Sequence, residues 1–276
     1  MTRSQALQLL TEELYISYSQ IFTYLACSLK YKFQYVENRP HERISINLPF
    51  GSAIHIPLAQ FYRGLKDKNT LEPISVLEEL FEDSLSLDLD HTDIPVIYKK
   101  EAPDRKNVIQ LGKSMLKSFY ENLDLNGFEI VDVEIPLSAR LYTDESEATD
   151  FMLIGIIDLI LMDEDRELIV VDNKTAVKAK NQSDVDDDLQ FSAYSYLLAS
   201  NRFTFPTATI KCRMDVLRKL KKPKLEHYHT TRTAEQRKRF AKMANAVLAG
   251  IDSRIFIPNK SWLCSDCQFI NACQDW

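Results

Sequence analysis

The stretch GIIDLILMDEDRELIVVDNK, residues 155–174, decides how the rest of the chain is read. Its two ends are apolar and β-branched, while Asp163, Glu164, Asp165 and Arg166 in the middle are polar, the pattern of a β-hairpin. With the turn centred near residues 164 and 165, Asp158 falls opposite Val171 or Asp172, so the two acids are close neighbours across the ladder. Side chains alternate along a strand, so Asp172 and Lys174 share a face. Two carboxylates at the open end of apolar strands repel each other unless a cation lies between them, and hard oxygen ligands favour Mg²⁺ or Mn²⁺. Lys174 adds a positive charge for an attacking water or a phosphate. On these residues alone the plainer reading, that Asp172-Asn173-Lys174 is where the strand leaves the core, stays open.

Downstream, Ser183 and Asp186 read as an N-cap and N3 pair, and Gln190 and Tyr194 share a face of a helix that continues through Tyr196, Leu197 and Leu198. Upstream, Phe50-Gly51-Ser52-Ala53-Ile54-His55 opens a predicted helix through Leu58, Phe61 and Tyr62, with His55 in its first turns. Taken in order, Gly155-x-x-Asp158, Asp172-x-Lys174 and Gln190-x-x-x-Tyr194 resemble the RecB-like branch of the PD-(D/E)XK nucleases. A lone histidine is ordinarily structural, but Gly51-x-x-x-His55 resembles the histidine motif of the same branch. The resemblance implies an α/β fold with a restriction-endonuclease-like mixed β-sheet flanked by helices, and a metal-dependent DNA nuclease. In that scheme His55, Asp158 and Asp172 hold Mg²⁺ or Mn²⁺, and a carbonyl of Val171 or Asn173 adds an oxygen ligand. Lys174 orients or helps deprotonate the attacking water, and Gln190 and Tyr194 position the strand.

The 276 residues are 45% hydrophobic and 27% charged, which suits a folded chain with a sizeable core. No run is long and apolar enough to span a membrane, and the N-terminus lacks the hydrophobic stretch of a signal peptide, so cytoplasmic residence is expected. Net charge is −6, yet residues 211–242 carry twelve Lys or Arg against three acids. Within that run Lys219, Lys221 and Lys222 lie on a predicted turn and are candidate phosphate contacts, against the alternative of a merely solvated face.

In chain order, residues 15–64 read as N-terminal helices, capped by Ser17 or Ser19, and residues 65–126 as a helical insertion with a polar interval from 83 to 107. Residues 127–250 are the sheet and its helices, and 251–276 a cysteine tail, all in one domain. Residues 128–141 make the first long strand, with Ile130, Asp132, Glu134 and Pro136 on one face. Glu134 is a possible further metal carboxylate and, more simply, a surface charge. Residues 207–217 and 224–230 form two strands around a turn, in which Cys212 is a small hydrophobe, and residues 231–248 a helix beginning near Thr233 and Gln236.

The tail spacing Cys264-x2-Cys267-x5-Cys273 reads as metal ligation in a cytoplasmic chain. Residues 18–31, with Cys27, resemble the N-terminal cysteine motif of AddB and the CRISPR-associated RecB-like exonucleases, apart from Ser28 where those families carry proline. That resemblance implies a [4Fe-4S] cluster on Cys27, Cys264, Cys267 and Cys273, with zinc as the alternative. It also implies DNA with a free or single-stranded end as substrate. The sequence has no nucleotide-binding G-x-x-x-x-G-K-[ST], so unwinding would need a helicase or other repair partner. Two further readings are a non-catalytic nucleic-acid-binding subunit and a zinc-stapled structural protein.

Overall fold

The computed structural model describes residues 13–143 and 145–276. The signal-peptide reading of residues 1–12 lies outside the described residues. Tyr15–Ser17 (β1) runs into Tyr18–Ala26 (α1), Ser28–Tyr31 (α2) and a π-helical turn, Lys32–Val36. Ile44–Ser45 (β2) precedes the long helix Asn47–Lys68 (α3), followed by Ile74–Asp90 (α4), Val96–Ile97 (β3) and Arg105–Asn122 (α5). Then come Glu129–Tyr142 (β4), Ala148–Met162 (β5), Leu168–Ala176 (β6), Gln182–Asp186 (α6) and Leu189–Ser200 (α7). Ile210–Arg218 (β7) and Lys224–Arg232 (β8) complete the sheet, and Ala234–Asp252 (α8) and Ile270–Gln274 (α9) end the chain.

The expected hairpin is β5–β6: Leu159 pairs with Val171 and Met162 with Leu168, a register that puts Asp158 level with Asp172. The sheet is mixed, as expected, in the order β1-β5-β6-β7-β8 with β4 antiparallel to β5. β5 has two different neighbours on its second edge. Residues Met152 to Ile154 pair with β1 and Leu159 to Met162 with β6, and residues 155–158 between them pair with neither. Beyond Val171, β6 pairs only with β7. The sheet therefore forks beside Asp158, and the site lies in the fork.

Both faces of the sheet are covered, which explains why its central strands read as apolar runs. One face packs Ile157, Val170, Met214 and Val216 under Phe191 and Leu197 of α7. The other packs Val133, Leu159 and Val171 under α3 to α5, where Phe61, Phe81 and Phe119 are buried. Each large apolar side chain removed from water contributes about 1.5–3 kcal/mol. Residues 65–126 are mostly helical, and the polar interval expected at 83–107 is non-helical over residues 91–104, where β3 pairs with β2. No helix among the described residues is long and apolar enough to cross a membrane.

Local expectations were corrected in four places. Ser17 caps α1 in a reciprocal box with Gln20, so Ser19 does not. Ser183 caps nothing: α6 follows Asn181, and the helix bearing Gln190 is a separate one whose N-cap is Asp188, accepting from the Gln190 N–H at 2.7 Å. α3 begins at Asn47, which moves His55 to its third turn. β4 does not alternate evenly, because Val131 is an extra residue against β5 and Glu134 takes a left-handed φ of 52°.

Arg232, at the end of β8, is buried and clamps the junction between α6 and α7. Its guanidinium donates to the carbonyls of Val185 and Asp188 at 3.0 and 2.8 Å and to the Ser192 hydroxyl at 3.1 Å. Replacing Arg232 by Met leaves those carbonyls without a donor. Thermal or urea unfolding should show a loss of about 2–4 kcal/mol; a change under 1 kcal/mol would mean that other groups hold the junction.

Candidate active site

The fork brings the predicted residues together from four elements. Asp158 and Asp172 are 2% and 1% exposed, so they are not at a solvent-facing strand end as the sequence suggested. Asp158 accepts the backbone N–H of Asn173 on Oδ2 at 2.8 Å, and the Nδ1 of His55, brought in by α3, lies 3.4 Å from the same oxygen. Asp172 is held from the other side. Lys174 Nζ lies 3.0 Å from its Oδ1 and 2.8 Å from its Oδ2, and Gln190 donates to Oδ1 at 2.9 Å. Gln190 also accepts from Lys174 at 2.8 Å and donates to the Tyr194 oxygen at 2.6 Å.

α7 can sit this low because Gly155 has no side chain. A Cβ there would come within 2.9 Å of Leu197 Cδ1 and 3.8 Å of Tyr194. The glycine of the first motif thus leaves room for the side chains of the helix that carries the third.

Glu134 is not a surface charge. Ligand atoms of His55, Glu134 and Asp158 all lie within 4.8 Å of one another, the one group of three such residues found among the described residues. The left-handed backbone at Glu134 and the bulge before it turn this side chain inward, which even alternation along β4 could not foretell. Two other groups went unnoticed in the sequence. Asp188 raises the pKa of both Asp172 and Lys174 through its charge, and Tyr18, first residue of α1, senses both Asp188 and Asp172.

Burial pushes the Asp172 carboxyl up to about 7, helped by the Asp158 charge and opposed by Lys174. Lys174 is raised as well: burial alone would lower it, but the Asp172 and Asp158 charges outweigh burial, so the ammonium form is held.

Half of the basic run is consumed by the fold. Lys219 is buried, donates to Asn47 Oδ1 at 2.8 Å, and lies 4.2 Å from the centre of the Phe50 ring; burial lowers its pKa to about 8. It is therefore no phosphate contact, contrary to expectation. Arg213 pairs with Asp215 and Arg218 with Glu226, both at 2.8 Å, Lys211 pairs with Asp163 at 2.7 Å, and Arg232 and Arg237 are buried among carbonyls and hydroxyls. Lys221 and Lys222 remain exposed on the β7–β8 turn.

At the far end of α1, Cys27, Cys264, Cys267 and Cys273 line one cavity of about 600 Å³ together with Phe33 and Phe269. Burial raises the Cys273 thiol, and the other three cysteines add to the shift. Backbone N–H groups of Asn259 and Ser261 point at the sulfurs of Cys27 and Cys264, at 3.5 and 3.4 Å. Cys212 is buried in β7 as expected, its thiol pushed up to about 12 by burial.

A raised Asp172 has a definite sign in metal-free protein. Between about pH 4 and pH 7 the folded state binds more protons than the unfolded one, so stability falls as pH rises through this window. Asp172→Asn should flatten that fall in thermal melts with chelator present. Parallel profiles for the two proteins would show that Asp172 titrates normally.

A profile of the PD-(D/E)XK nuclease superfamily matches residues 15–274. No curated protein sequence gives a match. Among solved structures, a candidate exonuclease from Eubacterium rectale aligns over 99% of this chain and 90% of its own, at 10% identity and a TM-score of 0.57, a likeness of fold. The structure of SSO0001 aligns over 90% of this chain and 94% of its own at 14% identity, with a TM-score of 0.39 that carries no argument. The profile takes in the sheet, its fork and the cysteine tail together, and the chain belongs to the PD-(D/E)XK nuclease superfamily.

Proposed function

We propose that the protein is a Mg²⁺- or Mn²⁺-dependent deoxyribonuclease of the RecB-like branch. It acts as an exonuclease on single-stranded ends in DNA repair, recombination or CRISPR-type processing, with a helicase or other repair protein supplying the strand. The observation that carries this reading is the fork, where an imidazole and two carboxylates converge within 4.8 Å beside the Asp172–Lys174 pair. The donor set fits a hard divalent cation: His55, Glu134, Asp158 and Asp172 would hold it, and excess negative charge at buried positions asks for one. When bound, such an ion lowers the pKa of water and neutralises charge on the phosphate.

The chain's own groups do the rest. Lys174, kept charged between Asp172 and Gln190, orients the attacking water and steadies negative charge on the phosphate as the bond breaks. Gln190 fixes both partners through one amide, and Tyr194 fixes Gln190. Lys221 and Lys222 are the remaining candidate backbone contacts of the predicted three.

The cysteine cavity also fits a metal group, since N–H groups aimed at sulfur stabilise thiolates. The three-cysteine tail and the resemblance of the Cys27 segment to the cysteine motif of AddB-type nucleases favour a [4Fe-4S] group over zinc on Cys27, Cys264, Cys267 and Cys273, the four residues that line the cavity.

Digestion of end-labelled single- and double-stranded DNA with Mg²⁺, Mn²⁺ or chelator tests the activity. Asp172→Ala and Lys174→Ala should each lower cleavage by more than about a hundredfold while the proteins stay folded; wild-type rates in Asp172→Ala would remove the fork from the chemistry. Replacing Lys221 and Lys222 together should flatten the slope of log K against log salt by about 1.4 on single strands, whereas an unchanged slope would put the strand elsewhere. Anaerobically purified protein should be brown and contain iron, and Cys27→Ala should bleach it. Stoichiometric zinc without iron would refute the cluster.

A further inference from the structure

The cysteine tail and His55 are joined by one short piece of chain. Residues 42–45 grip the tail at three points. Both carboxylate oxygens of Glu42 accept N–H groups at the start of α9, from Asn271 at 2.8 Å and Ala272 at 2.9 Å. The Arg43 guanidinium donates to the carbonyls of Cys267, Ser265 and Cys264 at 3.0, 3.2 and 3.4 Å. The Ser45 hydroxyl donates to Asp266 at 3.3 Å, and Lys99 pairs with the same carboxylate.

Two residues after Ser45 the chain enters α3. His55 follows eight residues after Asn47, about 12 Å along the axis at 1.5 Å per residue. A hydrogen-bonded helix moves as a unit, so a shift of its first turn is felt at His55. The tail itself has little packing of its own. Its buried apolar cluster consists of Leu29, Phe33 and Phe269, and α9 is only five residues long. Segments this sparsely packed open easily unless something else holds them.

We propose that Glu42 and Arg43 are positioning residues that couple the cysteine cavity to the nuclease site. A metal group on the four cysteines fixes residues 264–273, these fix residues 42–45, and α3 then carries His55 to its place beside Glu134 and Asp158. The inference rests on the metal-dependent nuclease reading of the fork. Coupling between two binding events is reciprocal. Mn²⁺ at the fork must therefore tighten the hold on the cysteine-bound metal by the same factor.

Calorimetric titration with Mn²⁺, without DNA, reads the coupling directly. Stripping the cysteine-bound metal from wild-type protein should weaken Mn²⁺ binding roughly tenfold, the scale on which outer contacts act on metal sites. Arg43→Met and Glu42→Gln should weaken it comparably while iron content and circular dichroism stay at wild-type values, and Arg43→Lys should recover part of the loss. In wild-type protein Mn²⁺ should raise the concentration of iron-selective chelator needed to remove half of the cysteine-bound iron at equilibrium, an arm that needs no variant. Mn²⁺ affinity indifferent to both stripping and Arg43→Met, in folded protein, overturns the coupling and leaves the nuclease reading standing. Wild-type protein that retains its iron but binds no Mn²⁺ overturns both.

Discussion

The hydrogen bond from the Asn173 N–H to Asp158 Oδ2 closes the sheet at the point where β5 and β6 part. A backbone donor at such a fork has lost its ladder partner, and leaving it buried and unmet costs about 1–3 kcal/mol. A carboxylate satisfies it, and in doing so is fixed beside a second buried carboxylate. Burial raises Asp172, the neighbouring Asp158 charge adds to that rise, and the two carboxylates together hold Lys174 as an ammonium and call for a cation. One bond thus serves the fold and the chemistry, and α3, α7 and β4 are arranged around it.

The same economy governs the positive charge. A run of twelve basic residues reads as a surface for phosphate, yet the buried members satisfy carbonyls, hydroxyls and acids inside the fold. Arg232 and Arg237 hold loop carbonyls, Arg213 neutralises Asp215, and Lys219 ties the end of β7 to the first residue of α3. Arginine suits these posts because its planar fork can meet several oxygens at once and stays charged when buried. Sequence-local charge is therefore a poor guide to surface potential in a chain that buries so many of its cations.

Contacts distant in sequence unite the two ends of the protein. Ser28 and Ile257 exchange hydrogen bonds, Leu29 donates to Ile257, and Glu42 and Arg43 grip the tail, so the last residues pack against the entry to α3 rather than trailing from α8. The family profile spans both ends, from residue 15 to residue 274.

By itself the sequence determined the hairpin, its register to within one residue and the facing of Asp172 with Lys174, because period-two alternation around a polar turn allows few arrangements. It also determined the pairing of Gln190 with Tyr194, four residues apart on a helix, and the clustering of the three tail cysteines. What only the tertiary structure decided was which groups join them. Glu134 enters through a bulge and a left-handed residue that no periodicity announces, and Asp188 through a helix break that its neighbours did not signal. The burial of Lys219 depends on α3 crossing the end of β7. These contacts link segments far apart in the chain, and their energies depend on packing and desolvation, which local patterns do not carry.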